Sequence, residues 1–290
     1  MNATLAPTRP ESSAGRTTFA ALAVRELRRF VVNPVFLFAV VFTAWTTWGN
    51  PSTSVTDIDE VNWYPAICLG GFGMMATFWL TRSMRHSEPV VGVTPTGLPV
   101  RSAALCTVAV VPFLCGVLTL LAFLHYHPLD ARVYGAFSPP AQVAVLVGQI
   151  VLPSLGGPLL GVALGRWVRF PGAAFVAFLF LFGWGNLSTV PSLTHPDSTA
   201  ATALRLFAPF THFTFTNNGT EMTTWPGSPW FFIGWQLALC AIAVLMALLP
   251  GAHSRPRARI VRTLQIVLVV AAIMFVLAVG GGFTHAIHAR

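Results

Sequence analysis

Residues 102–124, SAALCTVAVVPFLCGVLTLLAFL, carry no charged side chain, and that stretch decides the fold class. At about 1.5 Å per residue a helix of this length spans a hydrocarbon core of about 30 Å. Working outward, six further apolar runs are visible: 34–48, 63–81, 142–165, 170–190, 230–249 and 263–283. The chain therefore reads as all-α, a polytopic membrane helix bundle with six core transmembrane helices and a seventh, C-terminal apolar helix. Of its 290 residues 54% are hydrophobic and 9% charged, the balance of a membrane protein.

All seventeen basic residues are arginine. Without lysine the chain has neither the G-x-x-x-x-G-K-[ST] phosphate loop nor a Schiff-base lysine, so any ATP it uses is bound by another subunit. The net charge of +8 would also suit nucleic acid, but the arginines flank apolar runs and form no basic stripe among exposed aromatics. With the N-terminus inside, Arg9, Arg16, Arg25, Arg28, Arg29, Arg82, Arg85, Arg101, Arg166, Arg169, Arg255, Arg257, Arg259 and Arg262 lie on the cytoplasmic side. Arg132, Arg205 and Arg290 lie outside, and this asymmetry fixes the expected orientation. Cys68, Cys106, Cys115 and Cys240 all fall inside apolar runs and read as buried, inert thiols.

Residues 1–16 read as a disordered cytoplasmic tail. Over 17–32 Phe19, Leu22, Leu27 and Phe30 share one helical face and Arg25, Arg28 and Arg29 the other, an amphipathic helix lying flat in the inner interface. Glu26 falls on its apolar side, so a partner from elsewhere in the protein is expected. Asn33-Pro34 turns the chain into the membrane. Residues 81–101, TRSMRHSEPVVGVTPTGLPVR, are long for a connection; Arg82, Arg85 and Glu88-Pro89 followed by proline corners suit a lever that a soluble partner could move. Gly157, Gly161 and Gly165 have small-xxx-small spacing for close helix packing, and Pro153 and Pro158 should bend that span. The outer segment between the fifth and sixth runs, with Phe207, Phe210, Phe213 and Trp225, should lie on or dip into the outer interface. The span interiors carry no acidic residue, so a substrate path would be lined by Ser, Thr, Gln, Trp and Phe.

VRELRRFVVNPVFLF (24–38), the basic loop ending LPVRSAAL (98–105) and the aromatic segment before the sixth run together resemble the membrane subunit of a type-2 ATP-binding-cassette (ABC-2-type) transporter. The resemblance covers 17–249, leaving a basic linker and C-terminal helix over 250–290 as an addition to the family pattern. It implies an elbow helix at 17–32 bearing Arg25, Glu26, Arg28 and Arg29, and coupling to an ATPase through Arg82, Arg85, Glu88 and Arg101. It also implies an external gate built from Phe207, Phe210, Phe213 and Trp225. The implied protein is an exporter permease of a bacterial cell membrane, without catalytic residues, metal or cofactor of its own. Its partners would be an ATPase subunit holding ATP and magnesium, a second permease chain and membrane lipids, with no nucleic acid. Two alternatives stay open: an intramembrane enzyme for lipid-linked substrates using His125, His127 and Asp130, and a sensor or assembly subunit that transports nothing.

Overall fold

A computed structural model describes residues 11–48, 63–86, 97–126, 129, 136–209, 211–217, 221–252 and 254–289. Helix α1 (Glu11–Val31) begins six residues before the expected start, so residues 11–16 are helical, where a disordered tail was expected. Asn33 ends it: its Oδ1 accepts from the Val35 amide at 2.9 Å, and Pro34, which has no amide hydrogen to leave unpaired, opens α2 (Pro34–Trp48). Phe30 and Phe36, with ring centroids 4.2 Å apart, close the corner, and the two helices meet at 62°.

The bundle continues with α3 (64–86), α4 (Leu98–Tyr126), α5 (Pro139–Trp167), α6 (Ala173–Leu187), α9 (Pro229–Leu248) and α10 (Ser254–Gly280). Among the described residues five helices are long and apolar enough to cross a membrane, six if α1 and α2 count as one bent span. In α5 67% of the most apolar window is buried against 11% in α10, which puts α5 at the centre and α10 at the lipid.

What places α5 there is its seam with α3. A Cβ added to Gly157 would lie 2.1 Å from the Gly70 carbonyl oxygen, and one on Gly161 2.2 Å from that of Met74. Lipid tails are as apolar as leucine, so helices in a bilayer gain by close backbone approach rather than by burying hydrocarbon. Here the Thr77 hydroxyl donates across the seam to the Pro158 carbonyl at 2.8 Å. Each helix also carries one wide turn, Ala66–Phe72 in α3 and Val147–Val151 in α5. The second directly precedes Pro153, whose ring and missing amide hydrogen break the regular ladder, and the wide turn takes up the mismatch.

Arginines gather at one end of the bundle. Arg166 at the end of α5 donates through Nε to Ser102 Oγ at 2.8 Å and through Nη2 to the Leu98 carbonyl at 3.3 Å, while Arg85 Nη1 donates to the Arg166 carbonyl at 3.4 Å. The opposite end is closed by the segment between α6 and α9. It folds as short helices α7 (Val190–Thr194) and α8 (Thr199–Phe207) and a hairpin of β1 (Thr214–Asn217) and β2 (Glu221–Thr224). A third strand, β3 (Ile287–Ala289), comes from the C-terminus and pairs antiparallel with β2. Helix α10 therefore runs from the arginine end to this cap. Gly227 and Gly282, at φ 119° and 124°, allow the crossing where the Gly227 amide donates to the Phe283 carbonyl at 3.2 Å. Asp197 Oδ1 accepts from the Ala286 amide at 2.7 Å.

Gly161→Val forces the α3–α5 seam apart and should cost about 3 kcal/mol, read as a lowered melting temperature in detergent. Removing residues 284–290 strips β2 of its outer neighbour, so amide exchange should rise at 221–224 while α3 and α5 stay protected.

Candidate functional site

Beside the seam α3 and α5 present Gly70, Gly71, Gly156 and Gly157 among larger apolar side chains, so neighbouring helices leave a volume there. A cavity of about 530 Å³, within the range that holds small molecules, is walled by four helices. Ala66, Gly70 and Met74 come from α3 and Pro153, Gly156, Leu160 and Leu164 from α5. Phe178, Leu181 and Trp184 of α6 and Trp235, Gln236, Leu239 and Ala243 of α9 complete the wall. Trp167 and Met246 stand at the arginine end, where Trp167 Nε1 donates to the Met246 carbonyl at 2.8 Å; Phe207 and Pro209 of the cap stand at the other. Among the described residues no charged side chain lines it, and neither does the serine or threonine expected from the sequence: threonine hydroxyls turn back to their own helix, as Thr77 and Thr81 do, or reach across the seam.

The cap end differs from the rest of the wall. Gln236 is 4% exposed and donates through Nε2 to the carbonyls of Gly148, in the wide turn of α5, and Pro209, in the cap. Its Oε1 has no partner among the described residues, and the same holds for Nε1 of Trp184 and of Trp235. These indoles pack around Phe207, at centroid distances of 6.3 and 5.9 Å.

The gate aromatics named from sequence separate into two places. Phe207 joins the cavity, Phe213 and Trp225 lie buried in the cap, and Phe210 falls outside the described residues. Between Phe213 and Trp225 sits Arg205, fully buried, its guanidinium carbon 5.3 and 5.2 Å from their ring centroids. It donates to the carbonyls of His212 and Pro226, and burial pulls it down to about 9. His212 Nδ1 accepts from the Trp63 indole at 2.7 Å, tying the cap to α3; burial, and then the Arg205 charge, push it down to about 3. From the sequence Arg205 is only one of the outer arginines. Its one hint is an arginine amid aromatics in a segment without a nearby basic neighbour.

In α1, Arg25, Arg28 and Arg29 are exposed while Glu26 is buried. Glu26 is held by Arg29 of the same helix, Nη1 lying 3.3 and 3.2 Å from its two oxygens, where a partner from elsewhere was expected; three residues apart on a helix, the two share a face. Of the proposed coupling residues, Arg82 lies half-buried with its guanidinium over Trp79 at 5.9 Å, Arg85 holds the end of α5, and Arg101 is half-buried in the first turn of α4. Glu88 lies outside the described residues, as do His127 and Asp130; His125 is exposed beside Tyr126. Gly165, the third of the spaced glycines, faces Thr81. Among the described residues no three His, Cys, Asp or Glu side chains gather in a way that could hold a metal. Comparison of the chain with protein-family models, with curated proteins and with solved structures gives no match.

His212 gives the cap a pH dependence. Its stabilising contribution is complete above the unfolded value near 6.5 and is lost as pH falls toward about 3, because a protonated imidazole cannot accept from Trp63. The protection of amides at 211–217, exchange taken relative to its intrinsic rate at each pH, should therefore fall progressively below about pH 6.5 and be level above it, and a His212→Gln variant, which has no proton to gain, should lose that dependence.

Proposed function

We propose that this chain is the permease subunit of an ATP-binding-cassette transporter of the ABC-2 type, forming the substrate path of an exporter in a bacterial cell membrane with its N-terminus cytoplasmic. The observation that carries the reading is an uncharged cavity running from the arginine end of the bundle to the cap, with one wall bonded to the ends of α3 and α4 that flank residues 87–96 in sequence. Arg85 precedes that segment and Leu98 and Ser102 come after it, and all three are bonded to Arg166 or its carbonyl at the end of α5. A push on these ends of α3 and α4 would be delivered to the helix that carries Pro153, Gly156 and Leu160 into the cavity.

Three further features support it. The lysine-free sequence supplies no phosphate loop, so the energy comes from an ATPase subunit that binds ATP and magnesium. The half-buried Arg82 and Arg101 offer cationic hydrogen-bond donors to an acidic surface on that partner. Helix α6 exposes Phe175, Val176, Leu179 and Phe180 beside the cavity, a face that a second permease chain would cover.

A tagged chain drawn from its own membranes in mild detergent should bring with it an ATPase and a second permease chain. Arg82→Glu combined with Arg101→Glu should lower ATPase recovery about tenfold, as charge reversal at a docking surface does, while the melting temperature of the permease changes by only a few degrees. Undiminished recovery with the reversed charges removes the coupling role from these arginines, and no ATPase in the wild-type sample removes the transporter reading itself.

A further inference from the structure

We infer that residues 283–289 are a releasable strap: they fasten the cap to α10, and the cap parts from the bundle only once β3 has let go. This deepens the permease reading, in which the cap is the gate, and rests on it only for the consequence to transport.

The strap reaches two parts of the cap that lie apart in sequence. β3 pairs with β2, setting Thr223 opposite His288 and Thr224 opposite Ile287, and ahead of it the Ala286 amide donates to Asp197 Oδ1 just before α8. Behind both contacts stands α10. Gly282, at φ 124°, turns the chain out of that helix, and there the Gly227 amide donates to the Phe283 carbonyl while the Ser228 amide donates to that of Ala278 at 2.8 Å. The Phe283 ring centroid lies 5.4 Å from that of Phe137, just before α5, and Phe137 lies 6.0 Å from Phe213 in the cap.

What the strap grips is joined to the middle of the cap. β2 runs straight into Trp225 and Pro226; the Trp225 amide donates to the Phe213 carbonyl at 2.9 Å, and Arg205 of α8 donates to the Pro226 carbonyl. A chain of bonds therefore leads from β3 through β2 to α8, whose last residue, Phe207, lines the cavity. The strap is also the link of that chain that yields first. Arg205 is fully buried, whereas the side chains of His285 and Asp197 are 78% and 58% exposed and β3 is a three-residue strand at the sheet's edge, so water can take over its hydrogen bonds.

The test uses the full chain in detergent with Thr202→Cys as reporter, since Thr202 lies in α8 and is 2% exposed. Its modification by a water-soluble, positively charged methanethiosulfonate is followed by peptide mass spectrometry beside amide exchange. Removing residues 284–290 should speed modification about tenfold, as for an opening equilibrium that loses a net hydrogen bond or two. Exchange should then rise through 199–207 and 214–217 as well as 221–224. Thr223→Cys with His288→Cys, directly opposite across the ladder, should slow modification below that of the full chain once oxidised and restore it on reduction. Should the shortened chain also lose protection in α3 and α5, Asp197→Ala, which keeps the strap and removes only its outer anchor, takes its place with the same expected direction. A rise in exchange confined to 221–224 with an unchanged reporter rate overturns the inference, because β3 then only covers an edge. Equal rates in the oxidised and reduced cysteine pair overturn it too; if the pair does not oxidise, the shortened chain and Asp197→Ala decide. None of these readouts needs an ATPase. Strap-dependent opening in a chain that recruits no ATPase upholds the strap and defeats only the transport reading, while ATPase recovery with an exchange change confined to 221–224 does the reverse.

Discussion

No side chain separates α3 from α5 where Gly157 meets Gly70, and the rest of the bundle is arranged around that contact. In water two helices adhere by hiding hydrocarbon; in lipid that gain vanishes, and what remains is dispersion at short range and hydrogen bonds with no competing solvent. The seam uses both, through glycine backbones and the Thr77 hydroxyl on the Pro158 carbonyl. It has a second effect. The glycines that let the backbones approach leave no side chains to fill the neighbouring space, so the same residues bring two helices together and open a cavity beside them.

The ends of the bundle are held by different chemistry. At the arginine end charged groups bind carbonyls and a serine, and Arg166 joins α3, α4 and α5. At the cap end Arg205 is enclosed by aromatic rings and carbonyls, and the chain's C-terminal strand completes a small sheet. Among the described residues no carboxylate pairs with this arginine; cation–π contact and two backbone carbonyls share the guanidinium inside the cap. The cap is hydrogen-bonded to the bundle through Trp63, Gln149 and Gln236 and packed on it where Leu206 and Phe213 share a core with Phe232, Trp235 and Ala278. A transporter would have to loosen these contacts in order to open, and in the proposed permease the cap would be the gate.

Much of the helical layout was legible because lipid imposes a length and a composition on each span. Helix α2 runs over the very residues its apolar run marks, Pro34–Trp48, since Asn33-Pro34 and the tryptophans at its far end are strong local signals. The glycine spacing in α5 was equally readable, although its partner helix was not: periodicity identifies a face, never what lies against it. Glu26 was legible as a buried charge but not as the partner of Arg29, because helical spacing permits that pair without requiring it. The cap was legible only as an aromatic segment. Its short strands pair 214–217 with 221–224 and then with 287–289, and the last of these partners is distant in sequence and visible only once α10 has crossed. The cavity was the least legible part. Its lining comes from glycines and apolar side chains spread over α3, α5, α6 and α9 with no shared sequence pattern, and the hydroxyls expected there bond to backbone carbonyls instead.

Helix α10, long and apolar enough to cross a membrane, runs from the arginine end to the cap and brings β3 into it, so the proposed orientation of the whole chain turns on its crossing. Ser83 and Thr284 are both exposed, one at the arginine end and one beside β3. Cysteine introduced at each, in separate variants, can be challenged with a membrane-impermeant maleimide on intact cells. The account predicts immediate modification of Thr284→Cys and modification of Ser83→Cys only after the membrane is opened; modification of both from the same side would contradict it.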